Sequence, residues 1–147
     1  DNPSDPPPML HGRFHLAFAT TDIKRLKAFY GGLLGCTEGR SSDTWVDYDF
    51  FGHQLTIQQV PVVTRTARTY NPEGQVPSDH WGIVLELADW RKMRDKCKKL
   101  GVRFFIEPRL VMKGQPGEQH SFFIEDPDGH AIEFKAFEDP ESLFRKG

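Results

Sequence analysis

One unit is written twice along this chain, and that repeat constrains the fold more than any other feature. Phe14 to Ala19 is a short apolar run bounded by turn formers, the signature of a buried strand. Thr20-Thr21-Asp22 then signals a helix start, with Asp22 or Thr21 as the cap. Ile23, Leu26, Phe29 or Tyr30, and Leu33 follow at helical spacing, and Gly35 ends the helix. Trp45 to Phe50 and His53 to Val60 read as two strands joined by a tight turn at Gly52. The scheme restarts with the strand His80 to Glu86 and a helix capped by Asp89, its buried stripe being Trp90, Met93, Cys97 and Leu100. Gly101 stops that helix. Val102 to Ile106, Ser121 to Glu125 and Ala131 to Phe137 are strands, and Ser142 to Lys146 is one closing helical turn. The turn Asp126-Pro127-Asp128-Gly129 has a mechanism, because Pro presets φ and Gly accepts positive φ.

The landmarks agree between the copies. His15 to Gly35 spans 20 residues and His80 to Gly101 spans 21, and Gly52-His53 and Gly129-His130 each open a last strand. The second copy is longer between helix and last strand, 28 residues against 17, and the extra chain holds Lys113-Gly114-Gln115-Pro116-Gly117, a candidate lid. A four-stranded unit leaves a sheet face and two edges uncovered, and pairing two units covers both. The predicted fold is therefore α+β: two βαβββ modules pairing into a curved, cup-shaped mixed sheet with the helices outside. Module one covers 13–61, a Pro-, Thr-, Arg- and Gly-rich linker 62–78, module two 79–138 and a tail 139–147. Residues 1–12, rich in proline and polar side chains, read as a disordered lead-in to a single domain over 13–147.

With 147 residues, one domain of ordinary size buries about 70% of the surface its extended chain exposes. Nineteen Lys plus Arg against twenty-one Asp plus Glu argue against a nucleic-acid backbone binder. No run approaches the roughly 18 apolar residues of a membrane span, and no signal peptide is visible. Cys36 and Cys97 are too few for a disulfide framework, so a reducing, cytoplasmic compartment is the expectation.

In such a cup, inward residues of the first and last strands of each copy point at the centre. These are His15, His80 and, four residues past Gly129, Glu133, which interrupts an otherwise apolar strand. A buried carboxylate needs a partner, and two imidazoles plus one carboxylate form a facial ligand set that leaves metal positions open. The position equivalent to Glu133 in the first copy is Thr56, a poor ligand, so three protein ligands and an open site are expected, with Gln54 or Gln58 as the alternative inward residue. His120 is a candidate proton carrier. Thr56 and Phe123 are candidate substrate contacts, and a few aromatics should line an apolar pocket. His53 and His130, beside turn glycines, read as strand-end caps, and Arg65 to Arg68 as a solvated loop.

Phe14-His15-Leu16-Ala17-Phe18, Phe29-Tyr30-Gly31-Gly32-Leu33-Leu34-Gly35 and Asp126-Pro127-Asp128-Gly129-His130-Ala131-Ile132-Glu133-Phe134 resemble the vicinal oxygen chelate superfamily, which holds glyoxalase I, extradiol dioxygenases and bleomycin- and fosfomycin-resistance proteins. Gly39-Arg40-Ser41-Ser42, Asp49-Phe50-Phe51-Gly52-His53-Gln54-Leu55 and Lys113-Gly114-Gln115-Pro116-Gly117-Glu118-Gln119 look more narrowly like small single-domain extradiol-type dioxygenases. The resemblance covers about residues 13 to 146 and carries the family's metal ligands onto His15, His80 and Glu133. Glyoxalase I supplies a fourth ligand where this chain has Thr56, and extradiol enzymes carry a tyrosine where it has Phe123.

The expected function is a metal-dependent enzyme that chelates neighbouring oxygens of a small substrate on a divalent ion and is dioxygenase-like. Fe(II) or Mn(II) is favoured, and Zn(II) or Ni(II) would accompany a glyoxalase-type lyase or isomerase. A non-catalytic small-molecule binding or resistance protein is the third reading. The resemblance also implies a possible homodimer.

Overall fold

The structure is a computed structural model that describes residues 3–4 and 10–146. Most of the lead-in reading over 1–12 thus falls outside the described residues. The chain divides into two compact units between Val63 and Thr64, so most of the sequence-read linker goes with the second unit.

The first unit runs β1 (His15–Thr20), α1 (Ile23–Lys27), β2 (Thr37–Ser41), β3 (Trp45–Phe50) and β4 (His53–Gln59). Asp22 caps α1, its Oδ1 accepting from the Arg25 N–H at 3.3 Å. The helix continues as a π-helical stretch over Ala28–Leu33 and stops at Gly35, whose φ is 73°. The sheet order is β1-β4-β3-β2, with β1 and β4 parallel and the rest antiparallel. Because side chains alternate along a strand, Val46, Tyr48 and Phe50 of β3 and Leu55 and Ile57 of β4 are buried with Ile23, Leu26, Phe29 and Tyr30. The opposite face is polar. There the register lines up His15 with Gln54 and Asp49, and Ala17 with Thr56 and Asp47. β2 carries no strand signal in the sequence: its residues TEGRS are all exposed and show no apolar alternation.

The second unit runs β5 (Trp81–Val84), α2 (Leu87–Lys99), β6 (Phe104–Val111), β7 (Gln119–Glu125) and β8 (Ala131–Ala136), closed by a 3₁₀ turn over Pro140–Phe144. Its order, β5-β8-β7-β6, repeats the first sheet: an outer parallel pair, then antiparallel partners. The fold is thus α+β, with two four-stranded mixed sheets and few helices. Trp90 of α2 anchors the core, 2% exposed, its indole N–H donating to the Phe134 carbonyl at 2.8 Å, with Phe122 stacked on Phe134. Cys97 lies on the same buried stripe, and burial pushes its thiol pKa up. Three readings need correction. Glu86, not Asp89, is the α2 cap residue, with no side-chain cap bond; Asp89 sits inside the first turn. Leu100, assigned to the stripe, is 54% exposed because it falls at the C-cap. The strand starting at Val102 begins at Phe104 and extends to Val111. The Lys113–Gly117 insertion is a β6–β7 hairpin connection closed by Gln115 N–H to Met112 O and Gly114 N–H to Glu118 Oε1.

One titration follows from the first core. Burial, then the charges of Glu38 and Cys36, pushes the Tyr48 hydroxyl from 10.0 up to about 12. The folded state therefore holds this proton more tightly than the unfolded chain, and the stability linked to it is complete below pH 10 and lost as pH rises through about 12. Tyr48→Phe should flatten the alkaline fall in stability over that window while leaving the neutral plateau in place; urea melts across pH 8–12 on both proteins read this out.

Candidate metal centre

The second unit brings His80 and Glu133 together. His80 immediately precedes β5, and the parallel pairing of β5 with β8 sets Gly82 opposite Glu133. His80 Nε2 lies 3.3 Å from Glu133 Oε1. Each member has a second partner that fixes it. His80 Nδ1 is 2.7 Å from the Pro77 carbonyl, which can only accept, so Nδ1 carries a hydrogen and Nε2 is turned to the carboxylate. The Ser121 hydroxyl donates to Glu133 Oε2 at 2.6 Å, which pins the carboxylate and leaves Oε1 turned to His80. Phe123 and the His80 ring pack edge to face at 5.0 Å and 75°, and Phe123 is 2% exposed.

At 3.3 Å the imidazole nitrogen and the carboxylate oxygen are matched either by a proton on the ring or by a metal ion that both ligate. Imidazole nitrogen and carboxylate oxygen, each oriented by an outer hydrogen bond, are the donor set and support that metal ligands require. The residues present therefore fit a divalent ion.

β7 separates the other candidates by alternation. Ser121 and Phe123 share the Glu133 face, whereas His120 points the other way, its ring 5.3 Å from Trp90 and its Nε2 3.7 Å from Glu138. His120, read as a proton carrier, is thus not beside the His80–Glu133 pair. In the first unit His15 opens β1, exposed on the polar face. Thr56 donates from its hydroxyl to Asp47 Oδ1 at 2.7 Å. Among the described residues no group of three or more His, Cys, Asp or Glu stands ready to hold a metal. The first unit also carries a cleft of about 460 Å³ on His15, lined by Arg13, Arg40, Asp47, Asp49 and His53 among others.

Sequence reasoning missed the supporting residues. Ser121 was findable, because a period of two puts it on the face of Phe123. Pro77 and the linker arginines carry no such signal. Arg65, read with Arg68 as solvated, donates to the Asp128 carbonyl at 2.8 Å; Arg68 donates to the Gly129 carbonyl at 2.6 Å and lies over the Phe105 ring. Both arginines clamp the turn that launches β8. That turn is as read: Asp126 Oδ1 accepts from the Asp128 and His130 N–H groups, and the His130 ring bonds Oδ2. His53 likewise caps a strand end, Nδ1 accepting from the Phe14 N–H at 2.9 Å.

A family model described as Glyoxalase/Bleomycin resistance protein/Dioxygenase superfamily matches residues 12–134. The chain belongs to that superfamily. Within it, the chain is 27% identical over 127 residues to glutathione transferase FosA of Serratia marcescens, covering 85% of this chain and 80% of that one. It is 24% identical over 123 residues to metallothiol transferase FosB of Lysinibacillus sphaericus, covering 82% and 78%. Among solved structures, a glyoxalase/bleomycin resistance protein/dioxygenase from Alicyclobacillus acidocaldarius superposes with a TM-score of 0.76 at 26% identity, covering 90% of this chain and 96% of that one. The fosfomycin resistance protein FosX of Listeria monocytogenes has the same fold, with a TM-score of 0.64 at 22% identity over 92% and 100% of the two chains. No helix of the described residues is long and apolar enough to cross a membrane.

If Ser121 holds the carboxylate, Ser121→Ala should weaken Mn(II) binding about 10–100-fold, the range for an outer partner of a ligand. Calorimetric titration of chelator-treated protein checks this; affinity unchanged in the variant would make Ser121 a packing residue only.

Proposed function

We propose that the chain is a metal-dependent enzyme that takes a small substrate through two neighbouring oxygens at a divalent ion held by His80 and Glu133. The observation that carries this reading is the facing of His80 Nε2 and Glu133 Oε1, each oriented by a second hydrogen bond. The donor set contains no thiolate, which favours Mn(II) or Fe(II). When bound, the ion would act as Lewis acid and template for the substrate oxygens. Pro77 fixes the His80 tautomer, Ser121 holds Glu133, and Phe123 covers the His80 ring and excludes water from that side.

The reaction we favour is transfer of a thiol to the small substrate. Two relatives that align over most of their length, FosA and FosB, carry transferase names, and Phe123 offers no hydroxyl to hold a catechol. Dioxygenation is the second reading, favoured by the ligand set itself, which iron oxygenases share. The test is direct. Protein loaded with Mn(II) or Fe(II) is given fosfomycin with glutathione, and separately catechols under oxygen. Thiol consumption supports transfer, oxygen uptake supports the second reading, and neither in any metal form argues for a binding protein. Pairing of two chains belongs to the same proposal and is read by light scattering.

A further inference from the structure

His80 is oriented by a segment that has little apolar burial of its own. Of residues 64–80 only Pro77 is buried, and its carbonyl accepts from the His80 Nδ1–H at 2.7 Å. Conformational entropy opposes the ordering of so exposed a stretch, so specific bonds must hold it in place. Two sets of bonds do so, both within the second unit.

The first set closes residues 69–78 into a small hairpin. The Ser78 N–H donates to the Thr69 carbonyl at 2.8 Å and the Asn71 N–H to the Val76 carbonyl at 2.7 Å, with Tyr70 paired antiparallel to Pro77 between them. Asn71 organises the tip. Its carbonyl accepts from the Gly74 N–H at 2.8 Å, and its side-chain Oδ1 accepts from the Gln75 and Val76 N–H groups at 3.0 and 3.2 Å. The second set ties the foot of the hairpin to the turn that launches β8. Arg68 donates to Glu125 Oε2 at 3.2 Å and to the Gly129 carbonyl at 2.6 Å, and Arg65 to the Asp128 carbonyl and carboxylate at 2.8 and 3.3 Å. A planar guanidinium grips two acceptors at once, which a lysine does not. Glu133 lies four residues beyond Gly129. One loop thus references both members of the pair, His80 through Pro77 and Glu133 through β8.

We propose that residues 65–78 are a positioning strap for His80, in which Asn71 and Arg68 are the positioning residues. Together they hold the Pro77 carbonyl against Nδ1, which keeps a hydrogen on that nitrogen and leaves Nε2 for an ion. Both act through the hairpin rather than on the ring. The inference rests on the reading of His80 as a metal ligand, and it deepens that reading by naming the residues that orient the ligand from outside the site.

NMR of the His80 ring in the metal-free full chain reads the strap without any metal, and calorimetric titration with Zn(II) reads its consequence. The wild type should show a hydrogen on Nδ1 that exchanges slowly with solvent. Asn71→Ala should speed that exchange and weaken Zn(II) binding, each by about tenfold, the low end of the range for an outer partner of a ligand. Asn71→Asp, which keeps an oxygen for the two N–H groups, should recover both. Arg68→Gln should act in the same direction, and Arg68→Lys should restore only part, because an ammonium does not span Glu125 and Gly129. A melting temperature that falls in these variants while the ring hydrogen and Zn(II) affinity stay at wild-type values would make the segment structural only and overturn the strap. So would ring signals unchanged in an Asn71→Ala/Arg68→Gln double variant. Failure of the wild type to bind Zn(II), with a ring hydrogen that still responds to the variants, supports the strap and sinks only the metal reading.

Discussion

Gly82→Ala should destabilise the chain by about 3 kcal/mol or more, at the upper end of the range for forced overpacking. Gly82 of β5 pairs with Glu133 of β8 in parallel register. A Cβ at Gly82 would overlap the Glu133 carbonyl oxygen and stand 2.7 Å from its carbon and 2.8 Å from the Glu133 nitrogen. All three contacts are backbone, so no rotamer relieves them. β8 cannot retreat either, because it is an inner strand held by β7 on its far side. The strain falls on the residue that faces His80, and metal affinity should fall along with stability. Chemical denaturation of the variant checks the first effect. A midpoint equal to that of the wild type would mean that β5 moves at little cost, and the close approach would then be unimportant.

The second large effect separates chemistry from packing. Glu133→Gln should lower Mn(II) affinity by more than about 100-fold, beyond what loss of an outer partner produces, while stability stays near that of the wild type. The amide keeps an oxygen for the Ser121 hydroxyl and offers an N–H to the His80 lone pair, so the hydrogen bonding of the pair survives without its charge. Titration calorimetry reads the affinity and a thermal melt reads the stability. Affinity within about threefold of wild type would remove Glu133 from the ligand set; a collapsed fold would instead mark it as structural.

The repeat was legible because apolar periodicity and glycine placement are local. Asp22 at its helix start and Asp126 to Gly129 in their turn follow from rules acting over four residues. β2 escaped because an edge strand exposed on both faces needs no hydrophobic alternation, and pairing with β3 alone holds it. The α2 cap escaped for the opposite reason: Glu86 occupies it without using its side chain, so cap chemistry gave no signal there. In the candidate site, the repeat singled out His80 and Glu133, which the fold sets 3.3 Å apart. The groups that orient them were not legible, since the Pro77 carbonyl and the linker arginines are chosen by tertiary neighbours and not by any spacing. Arg65 and Arg68 looked solvated only because the turn they clamp lies about sixty residues further along, and the ion pairs record this distance, 63 and 57 residues.

Metal titration of chelator-treated protein, with His80→Ala alongside, decides whether His80 and Glu133 hold a divalent ion. A single Mn(II) or Fe(II) bound per wild-type chain, and its loss in His80→Ala, are expected. Undiminished binding in His80→Ala, or no binding of Mn(II), Fe(II) or Zn(II) to the wild type, would overturn the metal centre.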